Sequence, residues 1–293
     1  MDDAAIQETR RLLRKVQEHL LLAHAAFGAQ RETLNLVEVV HHPGSTLADF
    51  NYVTPRRNTA WVSANFIQIG LERLEALGRT PRVQYIEGLF LPMFARALRS
   101  LGLMLEREIP LMIYIADGVA GIKPPVLPAL TPPDSVQLQT VSDQRGRDLW
   151  WHVWRNAFFD VQTLGVEPVS VTGDTPPDER QQDIILYQHG FPVGVVRLTF
   201  QPDNGTAHIV ALALQREDRS PEKLRLLLMR ALEAAQARGC PVVFAPGESD
   251  DDRRLYRDLG FVDLGSIVCY AAPSAIGKTA QDELVQPLLT IRG

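Results

Sequence analysis

The chain has 293 residues, 45% hydrophobic and 22% charged, which is the composition of an ordinary soluble globular protein. That length favours two units, each large enough to bury its own core, and excludes a small disulfide-stapled scaffold. A formal charge of −5 gives no support to a nucleic-acid-binding surface, and two cysteines, Cys240 and Cys269, suit a reducing compartment, so a cytoplasmic location is expected.

Apolar residues at Ile6, Leu12, Leu13, Val16, Leu20 and Phe27, broken by Arg10, Arg11, Lys15 and Glu18, predict a half-buried helix over residues 4–26. Its charges, with Asp2 and Asp3, predict neither a secretory leader nor a membrane span, and no later stretch approaches a spanning run. Residues 34–40 and 50–53 read as strands, with the His41-His42-Pro43-Gly44 break between them. The two histidines lack a third ligand at useful spacing, so no metal site is expected. Helical spacing returns over 61–77 and ends at Gly78, a natural C-cap. A strand at 82–86, a helix at 91–101 stopping at Gly102 and a strand at 111–115 complete a first cycle of α/β layers.

Residues 118–133 hold Pro124, Pro125, Pro128, Pro132 and Pro133, and so many missing amide donors predict a linker. A second cycle follows: strand 136–141, aromatic helix 147–159, a hairpin of 184–187 and 193–200 turning at His189-Gly190, and strand 207–214. Helix 221–238 stops at Gly239, strand 242–245 follows, helix 251–259 stops at Gly260, and strand 265–270 ends the cycle. The two cycles read as copies. RALRSLGL at 96–103 matches RLYRDLGF at 254–261, and Leu71-Glu72 with Gly78 matches Leu232-Glu233 with Gly239 at nearly the same offset.

VGVVRL at 193–198, AHIVALAL at 207–214, the helix ending ARG at 237–239 and LYRDLGF at 255–261 resemble, in order and spacing, the GNAT acyltransferase superfamily. The resemblance covers 136–271 well and 34–115 only in its later portion. It implies an α/β fold of two tandem GNAT-like units, each a mixed central sheet with helices on both faces, with a degenerate N-terminal copy. The expected boundaries are 1–120 for the first unit, 121–134 for the linker, 135–272 for the second unit and 273–293 for a tail.

The resemblance further implies an acetyl-CoA site where strands 207–214 and 242–245 splay apart. Backbone groups of Leu212, Ala213 and Leu214 would pair with the pantetheine arm, and the pyrophosphate would rest on the following helix N-terminus. The family's loop has an arginine and then alternate glycines. Here the arginine falls on Arg219, but the glycines fall on Ser220, Glu222 and Leu224. Pro221 also removes an amide donor, and Glu222 adds a negative charge. The cations Arg219, Lys223 and Arg225 speak for a phosphate site, whereas a plain helix start, with Ser220 as N-cap and Pro221 at N1, explains the same residues. The N-terminal counterpart, VTPRRN at 53–58, also lacks glycine.

By the same resemblance, Tyr256 would protonate the leaving thiolate, or else it is a core residue of an amphipathic helix. Its counterpart in the first cycle is Leu98. His208 occupies a place where family members often have a glutamate, and would take the amine proton, or is a structural histidine; His189 in the hairpin turn is a weaker candidate. The resembling family has part of its acceptor wall in this region; Trp150, Trp154 and Phe158 share one helix face, with Trp151 beside them and Phe159 next in sequence, and read as core packing, with Trp151 bordering a hydrophobic acceptor or the other domain as the alternative. The acidic run 248–252 reads as a capped helix start, with attraction of a cationic amine as the alternative. Together these imply an acyl-CoA-dependent N-acyltransferase acting on a small-molecule or peptide amine, with acetyl-CoA as co-substrate, no nucleic-acid or membrane partner, and a homodimer as an option. The rival is a catalytically inactive scaffold that kept the fold and lost the phosphate loop.

Overall fold

The computed structural model describes residues 3–59, 61–118, 132–159 and 179–276. The chain forms two compact units, Met1–Leu111 with Leu264–Gly293, and Met112–Asp263.

In the first unit, α1 (Asp3–Ala26) precedes strands β1 (Gln30–Leu34), β2 (Val37–His41) and β3 (Tyr52–Pro55), then α2 (Ala64–Ala76), β4 (Arg82–Ile86), α3 (Pro92–Ser100) and β5 (Met104–Ile115). One strand was expected over 34–40. The structure instead turns there into a β1–β2 hairpin, because Asn35 adopts a left-handed φ of 54° that asparagine tolerates. β1, β2 and β3 are antiparallel in sequence, and β3 meets β4 in parallel at Val53 and Val83. Alternation divides the strands between two helices. Val53 and Val37 approach Gly70 of α2, whereas Tyr52, Val40 and Ala29 cluster with Leu21 of α1.

In the second unit the order is β6 (Val136–Thr140), α4 (Gln144–Phe159), β7 (Gln181–Gln188), β8 (Phe191–Gln201), β9 (Thr206–Leu214), α5 (Pro221–Ala237), β10 (Val242–Pro246) and α6 (Asp250–Asp258). β6 to β9 are successively antiparallel, and β9 and β10 are parallel. Helices cover both faces of this mixed sheet. Trp150 and Val153 of α4 pack on Ile185 and Val195, while Leu227, Leu228 and Ala231 of α5 pack on Ile184, Leu186, Val196 and Leu198. From the first hairpin onward, the two halves of the chain repeat the same succession of strands and helices.

The matched sequence motifs are helix stops. Gly260, at φ 84°, lets Phe261 N–H reach Tyr256 O (3.0 Å) and Gly260 N–H reach Arg257 O (2.9 Å), the paired bonds of a Schellman motif. Gly102, Leu103, Leu98 and Arg99 make the same pair of bonds in the first half.

The domain boundaries differ from expectation at both last strands. β11 (Val262–Ala271) pairs antiparallel with β4, from Ile267 opposite Ile86 to Ala271 opposite Arg82, so residues from Leu264 onward belong to the first unit and not to a domain running from 135 to 272. Residues 112–115 of β5 belong to the second unit, beside β10, rather than to a domain ending at 120. Each unit is thus completed by the last strand of the other half of the sequence. β5 also begins earlier than its apolar end predicts. Glu106 is held by Arg82 at 2.6 and 2.5 Å, Glu108 accepts from Ser266 (3.1 Å), and Arg107 pairs with Asp49. Most of the expected linker 121–134 and the tail beyond 276 lie outside the described residues.

Candidate functional site

β9 carries the main irregularity of the second unit. Arg197 of β8 lies opposite Ala211 and Leu198 opposite Ile209, leaving Val210 as an extra residue, a β-bulge. The bulge shifts the alternation: Ala207, Ile209, Leu212 and Leu214 face the α5 side, and Ala211 and Ala213 face α4. It also bends β9 just where its pairing with β10 ends. The two strands are matched only from Thr206–Val242 to His208–Phe244. β9 continues to Leu214 with β8 alone, while β10 ends at Pro246, which has no N–H to offer. Among the described residues, the edge of β9 from 209 to 214 that faces β10 therefore has no strand partner. A row of backbone amides and carbonyls along such an edge pairs readily with an extended amide-bearing ligand.

Leu212, Ala213 and Leu214 lie along this edge. Leu214 is buried beside Gly194, while Leu212 and Ala213 are half-buried against the clusters on opposite faces, so the backbone is the continuous feature these residues offer along the edge. His208 is the last paired rung and stacks on Phe244 at 4.4 Å and 7°. Lying between Ala207 and Ile209, it points to the α4 face. Tyr256 is on the other face, 4% exposed, in the cluster that holds Leu214, Tyr114 and Phe261. Burial, with the Asp252 and Glu248 carboxylates second, pushes its hydroxyl well above the usual tyrosine range, so it stays protonated at neutral pH. Its ring meets Phe261 at 5.0 Å, the apolar contact of the Schellman motif.

The entrance of α5 follows the plain helix start in most respects. The Ser220 hydroxyl accepts from Lys223 N–H (3.2 Å), Leu224 N–H donates to Ser220 O (3.2 Å), and Pro221 stands at N1. Only the Glu222 amide of the first turn is left over, next to its own exposed carboxylate. Leu224 packs on the core. Lys223 Nζ is 2.7 Å from Asp218, and Arg225 is 2.6 Å from Asp258, so two of the three expected cations already hold acids. Arg219 has no acid partner among the described residues and donates to Ala157 O at 3.4 Å, at the end of α4. The glycines of the resembling family's cradle are absent, and of the three expected cations Arg219 is the one without an acid partner among the described residues.

On the α4 face, Trp150 and Trp154 stack at 6.4 Å, Trp154 and Phe158 at 4.9 Å, and Trp151 stands edge-on to both indoles. Sequence spacing anticipated that stripe but not its anchor. Arg197 lies over Trp150 at 4.0 Å and Trp151 at 4.7 Å and forms a two-pronged bond to Asp183. Phe158 is 47% exposed and Val210 41%, so this face of the opening is partly apolar. The acidic run forms a capping box: Asp252 N–H donates to the Ser249 hydroxyl and Ser249 N–H to the Asp252 carboxylate, both at 3.1 Å.

The fold and the opening together define an α/β protein in which a bulged strand separates from its parallel neighbour. Solved structures of GNAT acetyltransferases share this fold. A GCN5-related N-acetyltransferase from Kribbella flavida superposes with a TM-score of 0.66 at 14% identity, over 89% of this chain and 96% of the other. One from Sphaerobacter thermophilus gives 0.53 at 19% identity over 82% of each chain. A tandem GNAT protein from the clavulanic acid biosynthesis pathway gives 0.54 at 11% identity, over 92% of this chain and 94% of the other. No protein-family model matches the sequence, and no curated protein matches it significantly.

Proposed function

We propose that the second unit is an acyl-CoA-dependent N-acyltransferase that transfers acetyl from acetyl-CoA to a primary amine. The observation that carries this reading is the β9 edge beyond His208, which has no strand partner among the described residues, with His208 on one face of the sheet and Tyr256 in the cluster on the other. The backbone of Leu212 to Leu214 would hold the pantetheine arm. Arg219, with Lys223 exchanging Asp218 for ligand, would meet the phosphates. The amine nitrogen attacks the thioester carbonyl carbon, a C–N bond forms, and the C–S bond breaks. His208 or a water takes the amine proton, and Tyr256 gives its proton to the departing sulfur. The free, buried cysteines accord with a reducing, cytoplasmic setting, and a homodimer remains part of the proposal, to be read by light scattering.

Calorimetric titration with acetyl-CoA tests it. Binding, with Tyr256→Phe lowering turnover at unchanged affinity, is the expected result. No heat and no thermal shift at high ligand concentration would remove the enzyme reading and leave a binding scaffold, which the Lys223–Asp218 and Arg225–Asp258 pairs would then explain. Unchanged turnover in Tyr256→Phe removes that residue from the mechanism.

A further inference from the structure

The first unit has a parallel strand pair of its own, β3 and β4, matched at one rung, Val53 opposite Val83. By chain order it is the counterpart of β9 and β10. Beyond that rung β3 is already engaged, because the carboxamide of Gln17, on α1, donates to Pro55 O (3.1 Å) and to Thr54 Oγ1 (3.3 Å). The helix then crosses β4 and lands on the turn after it, where a Cβ on Gly88 would come within 2.6 Å of Leu13. Gln17, Thr54 and Gln84 are all buried. The space left among Leu20, Leu21, Tyr52, Thr54, Gln84 and Tyr85 is of water size. α4, the helix in the matching place of the second unit, packs on β7, β8 and β9, on one side of its opening.

We infer that the groove between β3 and β4 is a closed copy of the one between β9 and β10, filled by the chain's own helix α1 instead of a ligand, so that the chain takes up one acyl-CoA and not two. The count rests on the acyltransferase reading; the closure does not. A side-chain amide bonded to the strand-end carbonyl satisfies the group that a ligand amide would otherwise meet, and the apolar residues of α1 occupy the remaining width.

Thiol labelling of the full chain tests the closure, since Cys240 and Cys269 are buried and give little background. A thiol introduced by Thr54→Cys should react with an aromatic disulfide at least roughly tenfold more slowly than one introduced by Glu72→Cys on the exposed face of α2, because it must wait for local opening. Adding Gln17→Ala should return most of that factor. Equal rates at the two positions, or no acceleration by Gln17→Ala, would overturn the inference. Hydrogen exchange on the unaltered chain needs no variant to fold. Exchange at 52–56 should be slow and unaffected by saturating acetyl-CoA, while 209–214 gains protection. Protection gained at 52–56 overturns the inference. Protection gained nowhere defeats the acyltransferase reading and the count of one, while the thiol rates still decide the closure.

Discussion

Asp183→Ala strands a guanidinium inside the second unit. Asp183 and Arg197 face each other across β7 and β8, bonded at 2.7 Å through both prongs, with side chains only 4% and 12% exposed. The intact pair contributes little net stability, because desolvation offsets most of its attraction. Removing one partner is different: an unpaired buried charge costs about 3–5 kcal/mol. The indole rings of Trp150 and Trp151 retain about 1–2 kcal/mol of cation–π attraction. A loss of about 3 kcal/mol is therefore expected from Asp183→Ala, read by urea unfolding through tryptophan fluorescence, with far-UV circular dichroism following the whole chain. The double variant Arg197→Met/Asp183→Leu should return to within about 1 kcal/mol of wild type, since an apolar pair of similar volume needs no counter-charge. A single variant that loses less than about 1 kcal/mol, or a double variant as weak as the single, refutes this account of the pair.

His24 supplies a pH signature. Burial, only partly offset by Asp49, lowers its pKa to about 4, and its Nδ1 lies 2.9 Å from the Tyr52 hydroxyl. A depressed folded value means that the unfolded chain binds the proton first. The stability is present above pH 6.5 and is lost as pH falls towards 4, by roughly 3 kcal/mol. Urea midpoints of wild type and His24→Phe should converge over that range, and parallel pH profiles would show that His24 is not the source. Gly194→Ala directs a Cβ at Leu214 and to within 3.1 Å of Leu227. Differential scanning calorimetry should show a stability loss of about 1–3 kcal/mol, and an unchanged melting temperature would mean that Leu214 moves aside freely.

Local signals in this chain are strong and long-range ones are weak. Helix stops at Gly78, Gly102, Gly239 and Gly260 were legible because glycine at positive φ leaves a mark in sequence. The parting of β9 from β10 followed from family resemblance, but the Val210 bulge did not, since AHIVALAL reads as an unbroken apolar run whether or not one residue is skipped. The charged half of β5 escaped notice because Arg82, Asp49 and Ser266, which neutralise or bind its side chains, are distant in the chain. The Ser220 cap was legible from spacing. The engagement of Lys223 by Asp218 and of Arg225 by Asp258 was not, because a cation count says nothing about which cations are already taken.

The placement of β11 beside β4 sets a timetable for synthesis. When residues 82–86 leave the ribosome, the strand that will pair with them has not been translated, and the whole of β6 to α6 must emerge first. Until then β4 presents an open edge of the kind that recruits foreign strands. A nascent or truncated chain ending before residue 264 would therefore fail first in its N-terminal unit, although the residues it lacks lie at the far end of the sequence. Damage at one end of this polypeptide is felt at the other.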